Sequence, residues 1–295
     1  MVSKGRLNPA HECARLAAAD AAYRLGWSIQ HFIPDRADDA PEQQRLILAA
    51  ISSRPDAILL APIESPSLPA ALRQAAQAGI ALAYFISKPE VTPDYSCFVG
   101  ADDTAVGALI TRAAADHIGL GRIVLMEGYP SAPTNRFRKQ GAMAVLKQAE
   151  GIRLLACLNG AYQRQHAFDA MSAFLAQGKR ADAVVAFNDV MALGVIDACR
   201  AHGMACIVTG ANAIPEALDA IRDGSLLATA SFDPAQMAAR AVNELAAQAL
   251  ARICSRNKDI FLAVDLVTAD NLELWRQSAA SLFQAPCFSL KTPNR

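Results

Sequence analysis

The chain of 295 residues has little of several things that would define a function at once. It carries no surplus of either charge: 28 Lys and Arg balance 28 Asp and Glu. A nucleic-acid partner is therefore excluded, because binding one needs a cationic excess to displace its counterions. Aromatic residues make up only 6%, too few for a base-stacking platform. No apolar run approaches the roughly 20 residues a bilayer-spanning helix needs, which excludes direct membrane insertion. Nor does an apolar segment follow Lys4 and Arg6 as in a signal peptide.

Chemistry-bearing motifs are missing as well. There is no Gly-x-Gly-x-x-Gly after a strand, no Gly-x-x-x-x-Gly-Lys, no Gly-x-Ser-x-Gly elbow and no His-Glu-x-x-His, so no cofactor or metal is expected. The five histidines (His11, His31, His117, His166, His202) fall at no metal-ligand spacing, and all except His11 read as surface or helix-end residues. The seven cysteines (Cys13, Cys97, Cys157, Cys199, Cys206, Cys254, Cys287) include no Cys-x-x-Cys pair. An odd, scattered set argues against a disulfide framework, and most are expected to be buried as small hydrophobes.

What the sequence does have is apolar content, 53% of residues, at a length where folding buries about three quarters of the unfolded chain's surface. Short apolar segments alternate with longer amphipathic ones. The strand candidates are 27–33, 57–61, 81–86, 97–100, 122–127, 153–157, 183–187, 206–210, 226–231 and 261–267. Most are apolar throughout, the mark of strands covered on both faces. Between them lie helical patterns such as 66–79, with Leu68, Leu72 and Ala75 at helical spacing and Gly79 at the stop. Repeated strand–helix–strand units predict parallel sheets with right-handed crossovers. Near Val99-Gly100-Ala101-Asp102-Asp103 two strands follow each other without a helix, which breaks the alternation of a (β/α)8 barrel and favours two lobes.

Ligands of open α/β sheets bind outside the carboxyl ends of the strands, and polar residues gather at several such ends. Asn188-Asp189 follows strand 183–187, Asn212 follows Val208–Ala211, and Arg136 opens a helix after the Gly128–Thr134 loop. Each Asn or Asp reads equally as a helix cap, worth about 1 kcal/mol; their recurrence points to a binding edge.

These features, taken in order, resemble the type 1 periplasmic binding proteins, close to the ribose-binding solute receptors of ABC transporters. The resemblance covers residues 3–273 and is carried by Asn8-Pro9, Asp56–Pro62, Ala78-Gly79-Ile80, Val99–Asp103, Asn188–Gly194, Gly210-Ala211-Asn212 with Pro215-Glu216-Ala217, and Leu266–Leu272. It implies an α/β fold of two doubly wound parallel-sheet lobes joined by a three-strand hinge. Residues 1–101 with 233–261 would form the N-terminal lobe and 102–232 with 262–275 the C-terminal lobe, leaving 276–295 as a tail. It also implies a carbohydrate-like ligand, a transporter permease as partner, a periplasmic location and a monomer.

Carried over residue by residue, the implied ligand-binding side chains are Asn8, His11, Lys88, Asp102, Arg136, Tyr162, Asn188, Asn212 and Phe232. Here the chain also departs from its relatives. Ala10 and His11 replace two aromatics after Asn8-Pro9, Ser87-Lys88 replaces an Asp-Arg pair, Asn212 replaces an aspartate and Phe232 a glutamine. With carboxylates lost and Arg136 and Lys88 kept, the expected ligand is a sugar acid, a phosphorylated sugar or a polyol, in that order. Only Met1–Gly5 precede the Arg6-Leu7-Asn8-Pro9 stretch, so the first strand of the N-terminal lobe is expected to be largely missing, through either a late-assigned start codon or truncation. Two other readings share the fold: the effector domain of a lactose-repressor-type regulator, whose DNA-binding headpiece is absent from this sequence, and an enzyme on the same scaffold.

Overall fold

A computed structural model describes residues 1–5, 8–36, 38–251 and 256–278. The chain divides into two compact units, one formed by Met1–Ala101 and Asp233–Leu262, the other by Asp102–Phe232 and Ala263–Ser278. Among the described residues the main chain passes between them after Ala101, Phe232 and Leu262.

In the first unit the sheet order is β1 (Ala57–Leu60), β2 (Ala81–Ile86), β3 (Cys97–Ala101), β9 (Lys258–Leu262), all parallel. Helices α1 (Pro9–Arg24), α2 (Ala40–Ser52), α3 (Leu68–Gln77) and α9 (Pro234–Ala251) cover it. Ala10, Ala14, Ala18 and Ala22 form a buried small-residue stripe along α1, the helix that packs on α9. At the start of the chain the first strand is reduced to an isolated bridge at Val2, in line with the expected loss of most of it. Residues Met1–Ser3 fill a first-strand position between Phe32 and β1. Val2 N–H donates to Leu59 O at 2.8 Å, Ala61 N–H to Val2 O at 3.0 Å, and Phe32 N–H to Met1 O at 2.9 Å. Val2 and Leu60 are fully buried as a result, so the edge is short rather than open. The candidate strand 27–33 shrinks to a single bridge at Phe32, and Trp27 and Ser28 are exposed.

Strands β2 and β3 are parallel yet joined without a helix, as the sequence suggested. Side-chain bonds pin the connecting loop, residues 87–96: Tyr84 Oη lies 2.5 Å from Thr92 Oγ1, and Lys88 and Tyr95 both reach Asp259 of β9. Such bonds stand in for the packing a crossover helix would give.

The second unit has the order β10-β8-β7-β6-β4-β5. Its strands are β4 (Gly121–Glu127), β5 (Ile152–Asn159), β6 (Ala183–Ala186), β7 (Ile207–Ala211), β8 (Ala228–Ser231) and β10 (Asp265–Thr268). All pairings are parallel except β10 with β8. The single candidate strand 261–267 is thus two strands in different units, β9 and β10. Helices α4 (Asp103–Ile118), α5 (Pro133–Gln148), α6 (Arg164–Ala176), α7 (Asp189–Ala201) and α8 (Pro215–Arg222) flank this sheet, and α10 (Leu272–Ser278) claims the start of the expected tail. The rest of that tail, 279–295, lies outside the described residues, as do Cys254 and Cys287. Cys13 is buried and disulfide-bonded, against the sequence expectation; Cys97 and Cys199 are buried and free, and Cys157 is exposed.

Candidate functional site

The second unit's strand order reverses between β4 and β6, since β5 lies to one side of β4 and β6, β7 and β8 to the other. That reversal opens a crevice at the carboxyl ends of the two strands, where α/β sheets bind ligands. The sequence places Glu127-Gly128 and Phe187-Asn188 there.

Two arginines lie near the start of α5, Arg136 and Arg138. Two residues on a helix differ by about 200°, so Arg136 is exposed while Arg138 is 4% exposed. Arg138 Nε donates to Asp103 Oδ1 at 2.8 Å, Nη1 donates to the Phe187 carbonyl, and the guanidinium lies 5.1 Å from the centroid of the Phe232 ring. Two glycines allow this. A methyl on Gly107 of α4 would lie 2.0 Å from Arg138 O, and one on Gly141 of α5 would lie 2.0 Å from Thr104 O, so the two helices touch backbone to backbone. Residues 138, 142 and 145 recur at helical spacing on the buried face of α5. That periodicity is the sequence signal for a buried Arg138, which stands beside the expected Arg136.

Most of the expected residues of this unit follow the carboxyl ends of the same sheet's strands: Tyr162 after β5, Asn188 after β6, Asn212 after β7 and Phe232 after β8. Phe232 is buried under the guanidinium. Asn188 is 4% exposed and caps α7, accepting from Met191 N–H at 2.8 Å, which leaves its amide N–H groups uncommitted to that cap. Tyr162 has φ 56 and lays its ring over Gly128, whose missing side chain makes the room; its hydroxyl is 3.1 Å from Thr134 Oγ1. Asn135 Oδ1 fixes the same loop by accepting from Gly128 N–H at 2.7 Å. Asn212 follows β7 with φ 122, and its Oδ1 is buried with no hydrogen-bond partner. A buried acceptor left unmade costs about 1–3 kcal/mol. Asp102 is exposed and caps α4, accepting from Thr104 and Ala105 N–H groups at 2.9 and 3.1 Å.

The first unit's expected residues are placed differently. Asn8 caps α1 through Ala10 N–H at 3.0 Å. His11, one turn on, keeps a buried Nδ1 without a hydrogen bond, and burial followed by the positive charges of Lys4 and Arg15 lowers its pKa to about 3. The ring is therefore neutral at every physiological pH. Lys88 is committed within its unit: Nζ donates to Asp259 at 2.5 Å and Tyr95 Oη at 2.8 Å, and lies over the Tyr95 and Phe98 rings. Burial alone would lower its pKa, but these two hydrogen bonds raise it above the ordinary lysine value. At the first unit's own reversal point, buried Gln43 spans Ser3 O and Ala61 O and accepts from Ile63 N–H.

Among the described residues no group of three or more His, Cys, Asp or Glu could hold a metal, and no helix is long and apolar enough to cross a membrane. Buried amide and guanidinium groups beside an aromatic ring, at the carboxyl edge of a doubly wound sheet, define a protein that binds a small polar molecule. Comparison with known proteins then places it. A profile of the periplasmic binding protein domain family matches residues 4–253, and the chain belongs to that family. It is 30% identical over 249 residues to a putative rhizopine-binding protein of Rhizobium meliloti, an alignment covering 81% of this chain and 80% of that one. With the D-allose-binding periplasmic protein of Escherichia coli it shares 27% identity over the same proportions. A solved ABC transporter solute-binding protein of Bacillus halodurans with bound myo-inositol superposes with a TM-score of 0.84 at 26% identity, covering 94% of this chain and 96% of that one. Family members are binding proteins of the periplasm.

Proposed function

We propose that the protein is the solute receptor of an ABC-type importer and that its ligand is a neutral polyhydroxylated molecule, a cyclic polyol or a sugar. The observation that carries this is the unpartnered, buried Asn212 Oδ1 on the edge that also holds Arg138, Phe232 and Asn188. A hydroxyl is both donor and acceptor, so one ring can satisfy the Asn212 carbonyl and accept from amide and guanidinium N–H groups. Phe232 and Tyr162 supply apolar faces for the C–H side of such a ring.

The charge arrangement moves polyols ahead of the anions that the sequence put first. Arg138 is paired with Asp103 and Lys88 with Asp259, so neither cation awaits an anionic ligand. The relatives named for D-allose and bound to myo-inositol are consistent with a neutral ligand. Binding without turnover, a permease partner and a periplasmic site of action complete the reading.

Thermal-shift titration tests it, with myo-inositol, D-allose and xylitol set against sugar acids and sugar phosphates. Stabilisation by one or more neutral compounds is the expected result. Response to the anions alone would overturn the neutral assignment, and chemical turnover of a bound compound would overturn the receptor role.

A further inference from the structure

Asp189 is the first residue of α7, next to Asn188, and has no exposed surface. Its carboxylate accepts from the Thr229 hydroxyl at 2.7 Å and from Ile214 N–H at 3.0 Å. Thr229 Oγ1 accepts in turn from Ala213 N–H at 3.2 Å. A methyl on Gly210 would lie 2.3 Å from Asp189 Oδ1, so the glycine at the end of β7 is what lets the carboxylate in. The two peptide groups that follow Asn212 thus hang, directly or through Thr229, from one side chain. Asn212 and Ala213 have φ 122 and 52, left-handed values that non-glycine residues keep only where their surroundings hold them.

We propose that Asp189 is a positioning residue: without touching ligand, its side chain holds Asn212–Ile214 in the strained conformation that presents the Asn212 amide, and removing it releases that segment. The inference rests on the receptor reading for its purpose, but its geometry stands alone. Burial raises the carboxyl pKa to about 6, against the opposing pull of the Thr229, Ile214 and Ala213 hydrogen bonds and the Arg138 charge. The N-terminal end of α7 also favours the ionised form. Arg138 of α5 is the charged group acting on it, itself paired with Asp103 of α4. The residues that reach it from β7, β8 and their connection (Gly210, Ala213, Ile214, Thr229) do not titrate in this range. The closed segment therefore binds this proton more tightly than a solvated carboxylate would, and uptake between pH 7 and 5 favours the closed form rather than opening it.

The experiment measures amide hydrogen exchange of the ligand-free chain at Ala213 and Ile214, at pH 7.5 and pH 5 after correction for intrinsic rates. Val184 and Val185 of β6 serve as internal controls. In the wild-type chain, protection at the two loop amides should rise from pH 7.5 to pH 5, with β6 unchanged, whereas removing the side chain should lower it about tenfold, the scale of one buried hydrogen bond lost. Asp189→Ala should show the loss at both pH values. Asp189→Asn retains an acceptor for Ile214 N–H and should show intermediate protection without pH dependence. Thr229→Val, which keeps the shape and removes the hydroxyl, should loosen Ala213 more than Ile214, and it serves together with Asp189→Asn if the alanine variant does not fold. Wild-type protection in Thr229→Val and Asp189→Asn, or a pH response that survives in Asp189→Asn, overturns the proposal. A parallel titration with myo-inositol and D-allose separates the two readings. Loss of affinity in Asp189→Ala, with part of it kept in Asp189→Asn, supports both. Absence of binding by either probe, with the amide pattern intact, counts against the ligand assignment and leaves the positioning role in place.

Discussion

The two units present their candidate side chains in different ways. In the second unit the groups at the sheet edge are buried and held from behind by acids: Asp103 holds Arg138, and Asp189 holds the segment after Asn212. In the first unit Lys88 is bound up in a loop-pinning network, Asn8 caps a helix, and His11 keeps a buried Nδ1 without a hydrogen bond. Affinity needs polar groups fixed before the ligand arrives, because ordering them on binding costs roughly 0.5–1.5 kcal/mol per side chain. The second unit is built this way, so most of the discrimination between ligands should reside there.

The largest effect that could break this comparison comes from Arg138. Arg138→Ala takes the buried guanidinium away from Asp103 and the Phe187 carbonyl, and urea denaturation should show a loss of about 3–5 kcal/mol together with loss of binding. Arg136→Ala, on the exposed face of α5, should stay within about 0.5 kcal/mol of wild type. The reverse ranking would return the ligand-gripping role to Arg136.

Next comes the pH dependence of stability, where the units act in opposite senses. His11 has a folded pKa of about 3, below its ordinary value of 6.5, so the unfolded chain binds more protons between these limits and stability falls as pH drops through them. Asp189, raised from 3.8 to about 6, does the opposite: its contribution falls as pH rises from 4 to 6. His11→Gln should flatten the acid side of a stability–pH curve, and an unchanged acid limb would show that His11 is solvated in the folded state.

A smaller and cleaner effect is expected at Asn212. Asn212→Gly removes both an unpaired buried acceptor and a strained backbone, so melting should show a gain of about 1 kcal/mol while ligand affinity falls. Stability gained without affinity lost would separate this residue from recognition. Smallest is Lys88→Ala: its ion pair with Asp259 is about one-third exposed, so the stability loss should be about 1 kcal/mol or less and binding should change little. A large affinity loss there would make the first unit an equal partner in recognition.

The alternation of apolar strands and amphipathic helices made the fold legible, because burial on both faces leaves a continuous apolar signature at each parallel strand. Strand ends were legible to within a few residues at β1, β2, β4 and β6. The segment 261–267 was not, since the turn at Ala263-Val264 that hands the chain from β9 to β10 is apolar too. At the site, Asn188, Asn212, Tyr162 and Phe232 were found from their positions after strands or from the family pattern. Arg138 was not singled out, and Asp103 and Asp189 were noted only beside Asp102 and Asn188, because a buried charge is recognisable only with its partner, and the partners come from 35 and 40 residues away.

By itself the sequence determined that the chain folds as repeated strand–helix units and where their polar ends lie, since hydrophobic period and loop chemistry are local properties. Which of two nearby arginines turns inward, which lysine is spent on a loop and which aspartate becomes a support were decided only when helices met through glycines and strands took their order. Those choices depend on distances across the fold, and no local pattern encodes them.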